Sequence, residues 1–89
     1  MNKRRIVMLA TRTFYVLDAA HDDLRRCIME LNHERAAQLN SPASGTREQA
    51  ETADRLRAVQ AARHDILEAM QIMARLMRLP GSLPGEDDE

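Results

Sequence analysis

The sequence is poor in aromatic residues, glycine, proline and cysteine. Its 89 residues hold one Phe, one Tyr and no Trp, with three Gly and three Pro. β-Sandwiches and barrels need aromatic and β-branched side chains and many Gly or Pro turns, so this composition disfavours them. The single cysteine, Cys27, excludes an internal disulfide framework and a cysteine-rich zinc site. No run of apolar residues is long enough to predict a membrane-spanning helix.

Neither sign of charge dominates the chain. Thirteen Lys and Arg residues stand against 14 Asp and Glu residues, and the formal net charge is −1. The overall charge therefore gives no reason to expect binding to nucleic acid or to acidic membranes. The length allows one domain at most. No set of nucleophile, base and acid is recognisable in it, so we expect a protein that is not an enzyme.

The few Pro and Gly residues divide the chain. Neither occurs in residues 1–39 or 46–79, and two long uninterrupted segments predict two helices, near residues 4–39 and 46–79, joined by a loop at 40–45. Asn40 is expected to end the first helix in the left-handed conformation. Thr46 and Gln49 have the spacing of a capping box. Residues 1–80 then form a helical hairpin, and residues 81–89 form a disordered acidic tail.

Apolar residues recur every three or four positions in both segments, which predicts amphipathic helices packed as an antiparallel, coiled-coil-like hairpin of the all-α class. With a turn near residue 43, facing residues have numbers that add up to about 86, and both helices are about equally long. This register places Arg63 near Asp23, and His21 near His64 and Asp65. It also predicts that Cys27 is a small buried residue between the helices.

The apolar stripe widens toward the open end of the hairpin, the end opposite the loop. A hairpin has only one helix–helix seam and should be marginally stable alone. We therefore expect it to complete a helical bundle, such as a four-helix bundle, by dimerisation or with a partner chain. Methionine is common where a surface adapts to another chain. The residues predicted to bind a partner are Val7, Met8, Phe14, Ile66, Met70, Met73, Met77 and, on the inner stripe, Arg63, which is expected to pair with Asp23 or with a partner carboxylate.

One pair has the spacing of a metal motif. Glu30 and His33 form E-x-x-H, which places both side chains on one side of a helix. The predicted register brings no adequate second set of ligands to their level, so we expect neither a metal nor another cofactor.

The second predicted helix carries the run Ile66-Leu67-Glu68-Ala69-Met70-Gln71-Ile72-Met73. With the polar turn before it, residues 14–79 resemble the small helical-hairpin co-chaperones of type III secretion needle subunits. The resemblance implies heterodimerisation with a second chaperone. It also implies a role in keeping an aggregation-prone needle subunit soluble in the bacterial cytoplasm.

Two other functions fit the same pattern. A nucleic-acid-binding hairpin dimer would use Arg25, Arg26, Arg55 and Arg57, although nearby acids interrupt this series and no nucleic acid is expected. A small phage-type inhibitor would resemble an adaptor. The N-terminal Lys3-Arg4-Arg5 is followed by only five apolar residues before Arg12, too few for a signal peptide, so we expect a cytoplasmic protein. Contact of this basic end with RNA or lipid is an open alternative.

Overall fold

The computed structural model describes residues 2–41 and 45–79. These residues form two helices and no strand: α1 spans Lys3–Leu39 and α2 spans Thr46–Met77. The helices pack along their length into a rod of 67 × 15 × 13 Å. The predicted all-helical hairpin is confirmed. Its completion into a bundle stays a prediction, and the predicted tail at 81–89 lies outside the described residues.

α1 begins one residue earlier than predicted because Asn2 caps it. The Asn2 side-chain oxygen Oδ1 accepts a hydrogen bond from the backbone N–H of Arg5 at 3.0 Å. This bond satisfies one of the N–H groups that the first helical turn leaves without a partner. The helix then continues without a break through the acidic segment at 18–23 to Leu39.

The ends of the helices that face the loop differ from the prediction. Asn40 is the residue that ends α1, but its φ of −93° and ψ of 1° are not left-handed. Thr46 already belongs to α2, and Gly45, with extended backbone, precedes it without a side-chain cap. The predicted capping box is therefore wrong, since Thr46 lies one position too far into the helix for its hydroxyl to cap. Instead, the backbone N–H of Gln49 donates to the Gly45 carbonyl at 3.2 Å.

The other end of α2 also differs by two residues. The helix ends at Met77 rather than at 79, and Arg78 is the capping residue. Glu48 lies in the first turn of α2 and Arg75 in the last. Both positions suit the helix dipole, which favours negative charge at the N-terminus and positive charge at the C-terminus.

The seam between the helices contains little fully buried apolar surface. In the described ranges, only Ala10 (3% exposed) and Leu56 (5%) are buried hydrophobic residues. Gln38 and Thr52 are buried polar residues toward the loop. Most other seam residues are half-buried, because each helix has one neighbour and the sides of the seam stay open to solvent.

Candidate functional site

A hydrogen bond crosses the seam of the hairpin. The Nε of Arg63 donates to Nε2 of His21 at 3.2 Å, so the side chains of these two residues meet between the helices. The predicted Arg63–Asp23 pair is wrong. His21 is half-buried on the seam, whereas Asp23 is exposed and pairs with Arg26 of its own helix at 3.6 Å.

The predicted cluster of His21, His64 and Asp65 is also not formed. His64 is exposed and its Nε2 lies 3.6 Å from the Glu68 carboxylate, one turn along α2. The reason is helical geometry: Arg63 lies on the seam, and His64 and Asp65 lie about 100° and 200° around α2 from it, at exposed positions.

Most of the predicted partner-binding residues lie along the seam at the open end. Val7 and Phe14 of α1 and Met70 and Met77 of α2 are half-buried. The same holds for the other seam residues of the predicted set, Ile66, Met73 and Arg63. The α1–α2 contact thus leaves part of each of these side chains accessible on the flanks of the seam.

Met8 is separated from the others. It is 49% exposed and lies about 160° around α1 from the buried Ala10, on the side of the helix turned away from α2. A hydrophobic residue at this position belongs to a second surface, which the seam pattern of the sequence did not reveal.

This second surface has four large apolar side chains within nine residues of α1. They are Met8 (49% exposed), Leu9 (44%), Tyr15 (64%) and Val16 (68%). The ring of Tyr15 meets that of Phe14 edge to face, with ring centroids 5.9 Å apart, so the aromatic residue of the seam supports the exposed one. The i, i+7 and i, i+8 spacing of these residues could have revealed the surface, but an apolar residue off the seam stripe is common and carries little signal alone.

The open end is also strongly basic. Residues 2–17 and 69–79 contain six cations, and the sequence places no Asp or Glu among them. The six are Lys3, Arg4, Arg5, Arg12, Arg75 and Arg78. Because the helices are antiparallel, the start of α1 and the end of α2 meet at this end, so these charges add. The small net charge of the chain conceals this separation of charge.

A shallow groove of about 470 Å³ opens on the loop-proximal half. It is lined by Arg26, Cys27, Glu30, Leu31, Arg55 and Val59. Cys27 is exposed, so its predicted burial in the seam is wrong. The reason is helical geometry: Leu24 and Ile28 lie on the seam, and Cys27 lies about 100° around the helix from Ile28.

The loop-proximal arginines are largely balanced by neighbouring acids. Asp22 Oδ1 lies 3.6 Å from Arg25, and Asp22 Oδ2 lies 3.0 Å from Arg26. Arg57 lies 3.3 Å from Asp54. These contacts join residues one turn apart on the same helix and leave little local excess of positive charge for a nucleic-acid backbone. Exposed pairs of this kind contribute little to stability.

Glu30 and His33, the E-x-x-H pair, are both exposed on α1. In residues 2–41 and 45–79, no three His, Cys, Asp or Glu side chains come together in a way that could hold a metal ion. Within the same ranges, neither helix combines the length and hydrophobicity needed to cross a bilayer.

No protein-family model, curated protein or solved structure matches this chain.

Proposed function

We propose that this protein is a small adaptor or chaperone that binds another protein chain through the Met-rich seam at the open end of its hairpin. The partial exposure of this seam carries the proposal. Phe14, Met70, Met73 and Met77 are large apolar residues at the interface of two helices, yet none of them is fully buried. A third helix, or a helix pair, laid against one flank would cover them and complete a bundle.

Methionine suits this task physically. Its unbranched, flexible side chain repacks against surfaces of different shape at small cost. α2 presents Met70, Met73 and Met77 within two turns, all half-buried. Burial of apolar surface contributes about 25 cal/mol per Å², so covering these side chains favours association.

In its specific form, the proposal is a type III secretion co-chaperone of the bacterial cytoplasm, the family that residues 14–79 resemble. The chain would pair with a second chaperone, and the two would keep a needle subunit soluble. A phage-type inhibitor would use the same apolar seam against a different target. No catalytic step or cofactor is part of either form.

The test is a polar substitution in the seam with a matched control. Met70→Gln and Met73→Gln together keep side-chain volume and helix propensity but oppose burial. The partner is first captured from the native host by cross-linking and then purified. Titration calorimetry should show at least about tenfold weaker binding for the double variant, the equivalent of 1.4 kcal/mol. Met29→Gln, at a 65% exposed position far from the open end, should bind as the unaltered protein does.

The result that would overturn the proposal is unchanged affinity in a double variant that keeps its helical circular dichroism. The type III form has its own test, which is co-expression with the needle subunit and second chaperone of the host. It predicts a soluble complex of the three chains, and insoluble needle subunit when this chain is omitted. A needle subunit that is equally soluble without this chain would contradict that form.

A further inference from the structure

The outward side of α1 at the open end combines exposed apolar residues with arginines, and none of these residues belongs to the Met-rich seam. We name it the outer α1 face. It carries the exposed apolar residues Met8, Leu9, Tyr15 and Val16 and the arginines Arg4, Arg5 and Arg12. All seven side chains are exposed, and they follow helical spacing over about 18 Å of α1. Because this side is turned away from α2, it is accessible without any opening of the hairpin.

We propose that the outer α1 face binds the surface of anionic phospholipid membranes, with α1 lying in the plane of the interface. Helices that bind in this way combine bulky apolar residues with Lys and Arg. At about 100° per residue, Arg5 and Arg12 lie between the pair Met8 and Tyr15 and the pair Leu9 and Val16, so basic and apolar side chains of this face reach the headgroup region together. The apolar side chains enter the boundary between headgroups and acyl chains. The long arginine side chains extend to the phosphates while their methylene groups remain in apolar surroundings.

Charge complementarity identifies an anionic occupant. Lys3, Arg4, Arg5 and Arg12 lie within ten residues, and Arg75 and Arg78 lie at the same end of the rod. The nearest acids along the described helices are Asp18 and Glu68. Clusters of four to eight Lys or Arg residues beside an apolar helix are typical of sites that recognise acidic lipids.

The exposed apolar residues favour a lipid surface over other anionic ligands. A nucleic-acid backbone would contact the arginines but would gain nothing from Leu9 and Val16. Tyr15 suits the interface because its ring is apolar and its hydroxyl is polar. The face is the convex side of a single helix, and a fluid bilayer accommodates such a surface without a preformed groove.

A second copy of this chain is a poor occupant of the same face. A symmetric contact would bring Arg4, Arg5 and Arg12 of both copies into one interface. The sequence offers no acid in residues 2–17 to separate them. Like charges brought together in an interface oppose association.

Co-sedimentation of the full chain with vesicles tests the proposal. The probes are vesicles of phosphatidylcholine with 30% phosphatidylserine and vesicles of phosphatidylcholine alone. We expect binding to the anionic vesicles that is at least about tenfold tighter, and that weakens between 0.1 M and 0.5 M salt. Absence of binding to anionic vesicles, or equal binding to both kinds, would overturn the proposal.

Matched variants test the arginines. Replacing Arg4, Arg5 and Arg12 with Gln should weaken vesicle binding by at least about tenfold, since each basic residue at an anionic surface contributes about fivefold. The control replaces Arg35, Arg47 and Arg57, which are exposed at the loop end, and changes the net charge equally. An equal loss in the control would mean that total charge rather than this face decides binding, which would overturn the assignment.

Matched variants also test the apolar residues. Tyr15→Ser with Val16→Ser removes residues that are 64% and 68% exposed, and Met29→Ser with Leu39→Ser removes residues that are 65% and 68% exposed. Only the first pair should weaken vesicle binding, by about tenfold, with helical content kept in both. If the first pair binds vesicles normally while single-stranded DNA competes fully for the protein, the face is a nucleic-acid site and the lipid proposal is wrong.

The acidic tail is the remaining competitor for the arginines. Its four acids, Glu86, Asp87, Asp88 and Glu89, follow α2 in the sequence. A variant with Gln and Asn in their place should bind anionic vesicles at least as tightly as the unaltered chain. Vesicle binding that appears only in this variant would overturn the proposal, because the tail would then occupy the face in the full chain. Neither this test nor the vesicle assays depend on the protein partner proposed above.

Discussion

Nε of Arg63 on α2 donates a hydrogen bond to Nε2 of His21 on α1 at 3.2 Å, across 42 positions in the sequence. The bond joins two polar residues on a seam that is otherwise largely apolar. It gives the Nε–H group of the arginine a partner within its own hairpin.

A double-mutant cycle should detect this bond. His21→Ala, Arg63→Ala and the double variant should show a coupling free energy of about 0.5–1.5 kcal/mol, the range of a hydrogen bond between partly buried side chains. Urea unfolding followed by circular dichroism at one protein concentration provides the measurement. Asp23→Ala combined with Arg63→Ala is the control, and these two changes should be additive. Coupling between Asp23 and Arg63 would instead support the Arg63–Asp23 pair that the sequence predicted.

Leu56 should be among the costliest residues to truncate. It is 5% exposed and is the larger of the two buried apolar residues of the described helices. Leu56→Ala should destabilise the hairpin by about 2–4 kcal/mol, because it removes buried methyl groups and leaves a cavity. Leu39→Ala is the matched control, since Leu39 is 68% exposed and its truncation should cost less than about 0.5 kcal/mol. Similar costs for both, measured by urea unfolding, would contradict the packing.

Thr52→Val should stabilise the protein. Thr52 is 1% exposed, and its hydroxyl Oγ1 has no hydrogen-bond partner among the described residues. Valine has nearly the same shape and replaces the unsatisfied hydroxyl by a methyl group, so the gain should be about 1 kcal/mol. The midpoint of urea unfolding should rise. Thr13→Val, at an exposed position of α1, should leave it almost unchanged, and a lower midpoint for Thr52→Val would show that the hydroxyl is bonded.

The purified protein should not be a stable monomer at micromolar concentration. With Ala10 and Leu56 as the buried hydrophobic residues of the described helices, the single seam offsets little of the entropy that folding costs. Light scattering should give a mass above the 10.1 kDa of one chain, and the thermal midpoint should rise with protein concentration. A mass of one chain together with a high, concentration-independent midpoint would contradict this expectation.

The two helices could be predicted from the sequence, because the signals that specify a helix are local. The absence of Pro and Gly on both sides of one loop, with apolar residues every three or four positions, predicted two helices whose bounds agree within one residue for α1 and two for α2. Their ends were less predictable. Thr46 and Asn40 have capping propensities, but the backbone geometry of the turn decided which residue each helix ended on.

Only the tertiary structure decided how the two helices face each other. Antiparallel helices with a polar turn allow several registers that differ by a few residues, and each one buries a similar number of apolar side chains. The choice rests on long-range contacts such as His21 with Arg63. Asp23 and Cys27, which were expected to face α2, are exposed, because each lies about 100° around α1 from a seam residue. The sequence alone thus determines two amphipathic helices and a basic segment at Lys3–Arg12, whereas the packing of α1 on α2 decides that Met8 and Tyr15 face outward beside those arginines.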